Sequence, residues 1–186
     1  MTKEELYSAF EYVNHTRDKR QQMASMVLEN PEHMNSLMEI AFKVNDPISC
    51  KACWVLEYTA KTDLDYILPH INLFTKNIHR VSFDSSVRPM AKICEFLTKA
   101  YFSKSINLTK RILTNEHLEQ IASACFDWLI GDHKVAAQAY SMTSLLLLGR
   151  TFVWIHPELK IILEQNYNSG SAAYKARARL TLEKIK

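Results

Sequence analysis

Glycine is scarce in this chain: only 3 of 186 residues, with 5 prolines. Average usage is about 7% glycine. β-Sandwiches and dinucleotide-binding sheets draw on glycine for tight turns and for close backbone approach to phosphate, so the deficit counts against both. Long apolar runs are missing too. Stretches such as Leu145–Leu148 fall far short of the roughly 20 residues that span a bilayer. The start, Met1-Thr2-Lys3-Glu4-Glu5, is not followed by the apolar segment of a secretory leader, so no membrane association and a cytoplasmic location are expected. Neither G-x-S-x-G, nor a Walker loop, nor G-x-G-x-x-G, nor H-E-x-x-H occurs. These absences predict no cofactor and no metal, and they leave no complete catalytic motif.

The residues present describe an ordinary helical protein. Hydrophobic residues make up 47% and charged residues 23%, and the length suits a single domain over residues 1–186 with a real core. The formal net charge of +3 permits an acidic partner but falls short of a dedicated nucleic-acid protein. Cys50, Cys53, Cys94 and Cys125 lie inside apolar helical patterns, as free buried thiols do. Cys50 and Cys53 have C-x-x-C spacing, but no second pair or spaced histidines complete a zinc set, so they read as core thiols. The seven histidines are scattered, and several stand beside helix starts, where capping is their expected role.

Period-3.6 patterning recurs along the chain, and no window alternates at period two. Leu118, Ile121, Ala122, Cys125 and Leu129 form one helix face; Met34, Leu37, Met38 and Ala41 form another; Leu64, Ile67, Leu68 and Ile71 form a third. Between these amphipathic helices lie more uniformly apolar ones that align with one another. Ile48, Val87, Val135 and Ala172 are each followed four residues later by alanine, at Ala52, Ala91, Ala139 and Ala176. Tyr58, Leu97, Leu145 and Leu182 extend the register. Each helix follows a start signal: Asp46 before Pro47, Asp84, Asp132, and Ser169 with Ser171. The separations of 39, 48 and 37 residues scatter around the roughly 40–47 of HEAT and armadillo repeats.

Asp84, Val87, Arg88 and Ala91 resemble the HEAT signature, an aspartate turn followed by a second helix opening Val-Arg with alanine soon after. Asp132, Val135 and Ala139 keep it without the arginine; Asp46, Ile48 and Ala52 approximate it. The resemblance implies an all-α fold, a right-handed α-α superhelix of about five HEAT-like pairs and about ten helices. The units fall near 2–30, 31–62, 63–103, 104–149 and 156–185, with atypical ends. Pro69 should break the first helix of the third unit, and Ile106, Leu108, Ile112 and Leu113 predict a short extra helix packed beside the stack.

The resemblance also implies a place for binding, because second helices line the inner curve of such a stack. Arg88, Lys92 and Lys99 share one face of a second helix, Arg177 and Lys184 take matching positions in the last unit, and Tyr140 lies between. This basic and aromatic stripe predicts a non-enzymatic scaffold that holds a protein segment or another acidic ligand. The alternative is nucleic acid. HEAT-like stacks include DNA alkylation-repair glycosylases, and Asp127 beside Trp128, with Arg150 and Trp154, resembles their site. Ser85 to Lys92 also faintly resembles the signature loop of the fumarase and adenylosuccinate lyase superfamily, with proline and methionine reversed and the Asn-Pro absent.

Overall fold

Eleven α-helices and no strand make up the described residues of the computed structural model, residues 1–185. In chain order they are α1 (Lys3–Phe10), α2 (Arg17–Glu29), α3 (Met34–Ala41), α4 (Ile48–Thr62), α5 (Ile71–Asn77), α6 (Asp84–Tyr101), α7 (Leu108–Ile112), α8 (Asn115–Ile130), α9 (Val135–Leu148), α10 (Ile155–Tyr167) and α11 (Ala172–Leu182). No helix is long and apolar enough to cross a membrane.

With α7 set aside, the helices alternate between a first and a second kind, and the contacts follow that alternation. The second helices form a continuous row in which α2 packs on α4, α4 on α6, α6 on α9, and α9 on α11. Three first helices lean on the second helix that follows them, α3 on α4, α8 on α9 and α10 on α11, whereas α1 packs on α3 and α4 and α5 packs on α8. The buried faces are the predicted ones: Leu118, Ile121, Ala122, Cys125 and Leu129 of α8 and Met34, Leu37, Met38 and Ala41 of α3 are all in the core.

Pro69 breaks the third unit's first helix as expected. Leu64–Tyr66 and Leu68–His70 are separate 3-10 turns, and the α-helix resumes only at Ile71. A second proline is accommodated differently. Pro89 lies inside α6 and is buried, and its missing N–H would leave the Ser85 carbonyl one turn back without a donor. The Trp54 indole N–H of α4 donates to that carbonyl at 2.7 Å, so the gap in one helix becomes a tie to its neighbour. Gly149 allows another close approach: a Cβ there would lie 2.0 Å from the His156 ring, whose Nε2 is 3.0 Å from the Leu146 carbonyl.

Three details differ from the sequence pattern. Ala172 and Ala176 are exposed, and Tyr174, Ala178 and Thr181 fill the α11 interface instead. α11 ends the row, so the flank that packs against the next helix in earlier units has no neighbour among the described residues. The short helix α7 exists, but Ile106, Leu108 and Ile112 point to solvent, and it is anchored by Thr109 and by Leu113 just beyond it. Asp84 and Asp132 make no capping bond: Asp84 takes His133 as partner, and α9 starts after Lys134 without a side-chain cap. Ser171 does cap α11, accepting from the Tyr174 amide, and Asp46 accepts from the Ile48 amide ahead of α4, whose N-cap is Pro47.

Candidate ligand-binding face

The helix sequences sort charge by row. The five second helices carry eleven lysines and arginines against five aspartates and glutamates; the five first helices carry three against eight. A chain of net charge +3 therefore has one basic and one acidic row. Such segregation gives the surface a directed field that the small net charge conceals.

Within the basic row, the residues singled out by the sequence are placed in two groups. Arg88 reaches across to α4 and pairs with Glu57 through both guanidinium nitrogens, at 3.0 and 2.5 Å. Lys92 and Lys99 both bind Glu95, at 2.6 and 2.8 Å. Lys92 also lies 4.2 Å above the Tyr140 ring of α9, a cation–π contact. Glu95 is only 3% exposed. Burial pushes its carboxyl upward, but the Lys92 and Lys99 ammonium groups outweigh that and hold it below the usual carboxylate range. Arg88, Lys92, Lys99 and Tyr140 are thus brought together, as partners of the half-buried Glu57, of the buried Glu95 and of one another. Arg177 of α11 and Lys184 just beyond it lie at the far side of α9, which carries no charged residue; both are exposed, and neither has an ion pair among the described residues.

A second cation group was not visible in the repeat pattern. Arg17 of α2 donates from Nε to the Tyr58 hydroxyl of α4 at 2.8 Å, and Lys61 lies 5.7 Å over the Tyr58 ring. Neither cation has an acidic partner within ion-pair distance among the described residues. Together with Gln21, Ser25 and Thr62 they line a cavity of about 250 Å³ to which no carboxylate contributes. Arg20 stands nearby, 6.0 Å over the Trp54 ring, with its nitrogens on the Thr16 and His15 carbonyls. Arg17, Gln21, Ala24 and Ser25 follow helical spacing along one side of α2. Their meeting with Tyr58 and Lys61 spans about forty residues in a unit that departs from the repeat, and nothing in the local sequence announces it. A cavity of about 730 Å³ between the α8–α9 and α10–α11 turns differs in charge, since Asp132 and Lys134 both line it.

The other residues with chemical potential are occupied structurally. Cys53 is fully buried, with its thiol pushed up to about 12 by that burial and its sulfur 3.6 Å from the Ala41 carbonyl. Cys50 is half-buried beside the Ser86 hydroxyl at 3.1 Å. Burial raises the Cys94 thiol well above its ordinary value, and its neighbour Cys125 adds to the effect. Such thiols are poor nucleophiles. His117 completes a capping box with Thr114 and meets Asn72 at 2.7 Å, while His133 meets Asp84 at 2.8 Å. Among the described residues no three His, Cys, Asp or Glu side chains cluster as a metal site. Trp128 is in the core at 2% exposure, and Asp127 belongs to α8, in the acidic row. The Ser85–Lys92 segment is helical rather than a loop, with Ser86, Pro89 and Met90 buried.

Comparison with protein-family models, with curated proteins and with solved structures finds no match for this chain.

Proposed function

We propose that this chain is a non-enzymatic helical-repeat module of the HEAT or armadillo-like kind, whose row of second helices holds an acidic segment of a protein partner. The observation that carries this reading is the separation of charge, eleven cations against five anions on one row and three against eight on the other. Two further features support it. The second helices pack on one another in unbroken order, whereas among the first helices close packing is confined to α1 on α3 and α5 on α8. Helices crowded on one side and splayed on the other curve the stack, with the crowded and basic side inward. The five pairs, with α7 as an insertion, then form a right-handed superhelix.

The test is a fluorescence-anisotropy titration with a labelled polyglutamate peptide. Binding at low ionic strength that weakens with added salt is the expected result. Lys175→Glu with Arg177→Glu on α11 should weaken it far more than Lys76→Glu with Lys160→Glu on the first helices. Equal losses from both pairs, or no binding at low salt, would remove the basic row from the account. Single-stranded and duplex DNA run in parallel test the alternative: tighter binding to either, with a steeper salt slope, would favour a nucleic-acid ligand.

A further inference from the structure

The basic row is not uniform, and its unpaired cations show where a strongly charged group would seat. At the centre, Arg88 is paired with Glu57, and Lys92 and Lys99 share the single carboxylate of Glu95. An incoming anion there must compete with a carboxylate already in place, one of them almost wholly buried. The α2–α4 cavity reverses this arrangement. Arg17 and Lys61 converge on about 250 Å³ of space with no acidic lining, and Gln21, Ser25 and Thr62 complete its polar wall, Gln21 and Ser25 with donors to offer.

We propose that this cavity is a phosphate-monoester site, taking the terminal dianion of a phosphorylated ligand. The inference rests on the reading of the second-helix row as the face for an acidic ligand, and it names the group that anchors such a ligand. Charge count favours a dianion, since two cations face the space. Donor count favours phosphate over carboxylate, because a guanidinium fork, an ammonium, the Ser25 hydroxyl and the Gln21 amide exceed what two carboxylate oxygens can use, even with the Thr62 hydroxyl engaged by the Tyr58 carbonyl. The geometry of Arg17 supports the same conclusion. Its Nε is engaged by the Tyr58 hydroxyl, which holds the guanidinium plane and leaves both terminal nitrogens free for bidentate contact. Tyr58 is therefore a positioning residue. A phosphodiester, with one charge and substituents on two sides, fits the space less well, so a nucleic-acid backbone is the weaker candidate.

The experiment is phosphorus NMR of inorganic phosphate and of O-phosphoserine, free and within a short peptide, with acetate as competitor. Both phosphates should broaden with the wild-type chain. Arg17→Gln should weaken binding about tenfold or more, the loss of one strong charge-assisted pair. Lys61→Gln should weaken it several-fold, and Tyr58→Phe by less than either. Arg88→Gln and Arg177→Gln should leave it unchanged, and acetate should not displace phosphate at equal concentration. A gain in affinity from free phosphoserine to the peptide would identify a phosphorylated protein segment as the source; equal affinity would identify a free phosphorylated metabolite. No broadening, or equal weakening by Arg17→Gln and Arg88→Gln, would overturn the site. Polyglutamate binding is measured separately, so loss of the phosphate site and loss of the basic face are distinguishable outcomes.

Discussion

α6 and α2 both present arginine and lysine on the same row of helices, yet the two sets are held in opposite ways. On α6 each cation is fastened to a carboxylate: Arg88 to the half-buried Glu57, and Lys92 and Lys99 to Glu95, which packing has withdrawn from water. On α2 and the facing turn of α4, Arg17 and Lys61 meet only a phenol and neutral donors. The difference lies in the partners rather than in the cations. A buried glutamate needs compensation for lost hydration, and lysines from adjacent turns supply it, with the Tyr140 ring closing over one of them. The central charges are thereby part of the core's boundary. Where no acid is buried, as at the α2–α4 cavity, the same residue types remain available to a ligand.

The largest expected effect follows from removing the acid at the centre. Glu95→Gln removes two charge-assisted hydrogen bonds at a buried position, and we expect a stability loss of about 2–3 kcal/mol in urea denaturation. A change of less than about 0.5 kcal/mol would mean that the central cations are as free as those of α2, and the comparison would collapse. The same carboxylate gives the centre a pH signature. Its folded value lies below the ordinary one, so its stabilisation is complete above the unfolded glutamate value, about 4.3, and is lost as pH falls through the lower folded value. Urea midpoints followed down the acid limb should fall more steeply for wild type than for Glu95→Gln.

Arg88→Gln is the next smaller test. Glu57, its side chain 15% exposed, would lose a bidentate partner but could still reach solvent, so a cost of about 1–2 kcal/mol is expected, with phosphate binding unaltered. Trp54 probes the tie between α4 and α6. Trp54→Phe should cost about 1 kcal/mol, because the Ser85 carbonyl loses the donor that stands in for Pro89's missing N–H. In a Pro89→Ala background the helix supplies its own donor, and the cost of Trp54→Phe should shrink. A double-mutant cycle with no coupling would refute the tie.

How far the sequence announced these features depended on whether each was local. The apolar faces of α3 and α8, the break at Pro69 and the short helix after Asn107 are set within one or two turns, and the periodicity gave them away. The stripe of Arg88, Lys92 and Lys99 was legible as a face because i, i+4 and i+11 fix direction on any helix. Its neutralisation by Glu57 was hidden, since that contact crosses 31 residues and depends on how two helices stack. Glu95 was legible as a helical neighbour of both lysines; that packing would bury it was not. The alignment of Ala172 and Ala176 with the buried Ala52 and Ala91 failed for a similar reason, as it already did in part at the half-buried Ala139, because burial of a small residue depends on whether a neighbouring helix covers it. The α2–α4 cavity combines both difficulties: its two sides are far apart in sequence, and α2 lacks the repeat register that would have aligned them.

The smallest effect is the one that tests the availability of the α2 cations. Arg17 is exposed, and its side-chain hydrogen bond is to the hydroxyl of the half-buried Tyr58 at the surface, so little folding free energy depends on it. Arg17→Gln should shift the urea midpoint by an amount equivalent to less than about 0.5 kcal/mol. Lys61→Gln should do the same, and the pair together should be additive within error in stability. In phosphate affinity the two should not be additive, because once one cation is gone the dianion is no longer matched and the second contributes less. This opposition of negligible stability cost and coupled loss of affinity is the behaviour of residues held open for a ligand. If either variant instead destabilised the fold as strongly as Arg88→Gln, the α2 cations would be fasteners of the same kind as those on α6, and the contrast between the two regions would disappear.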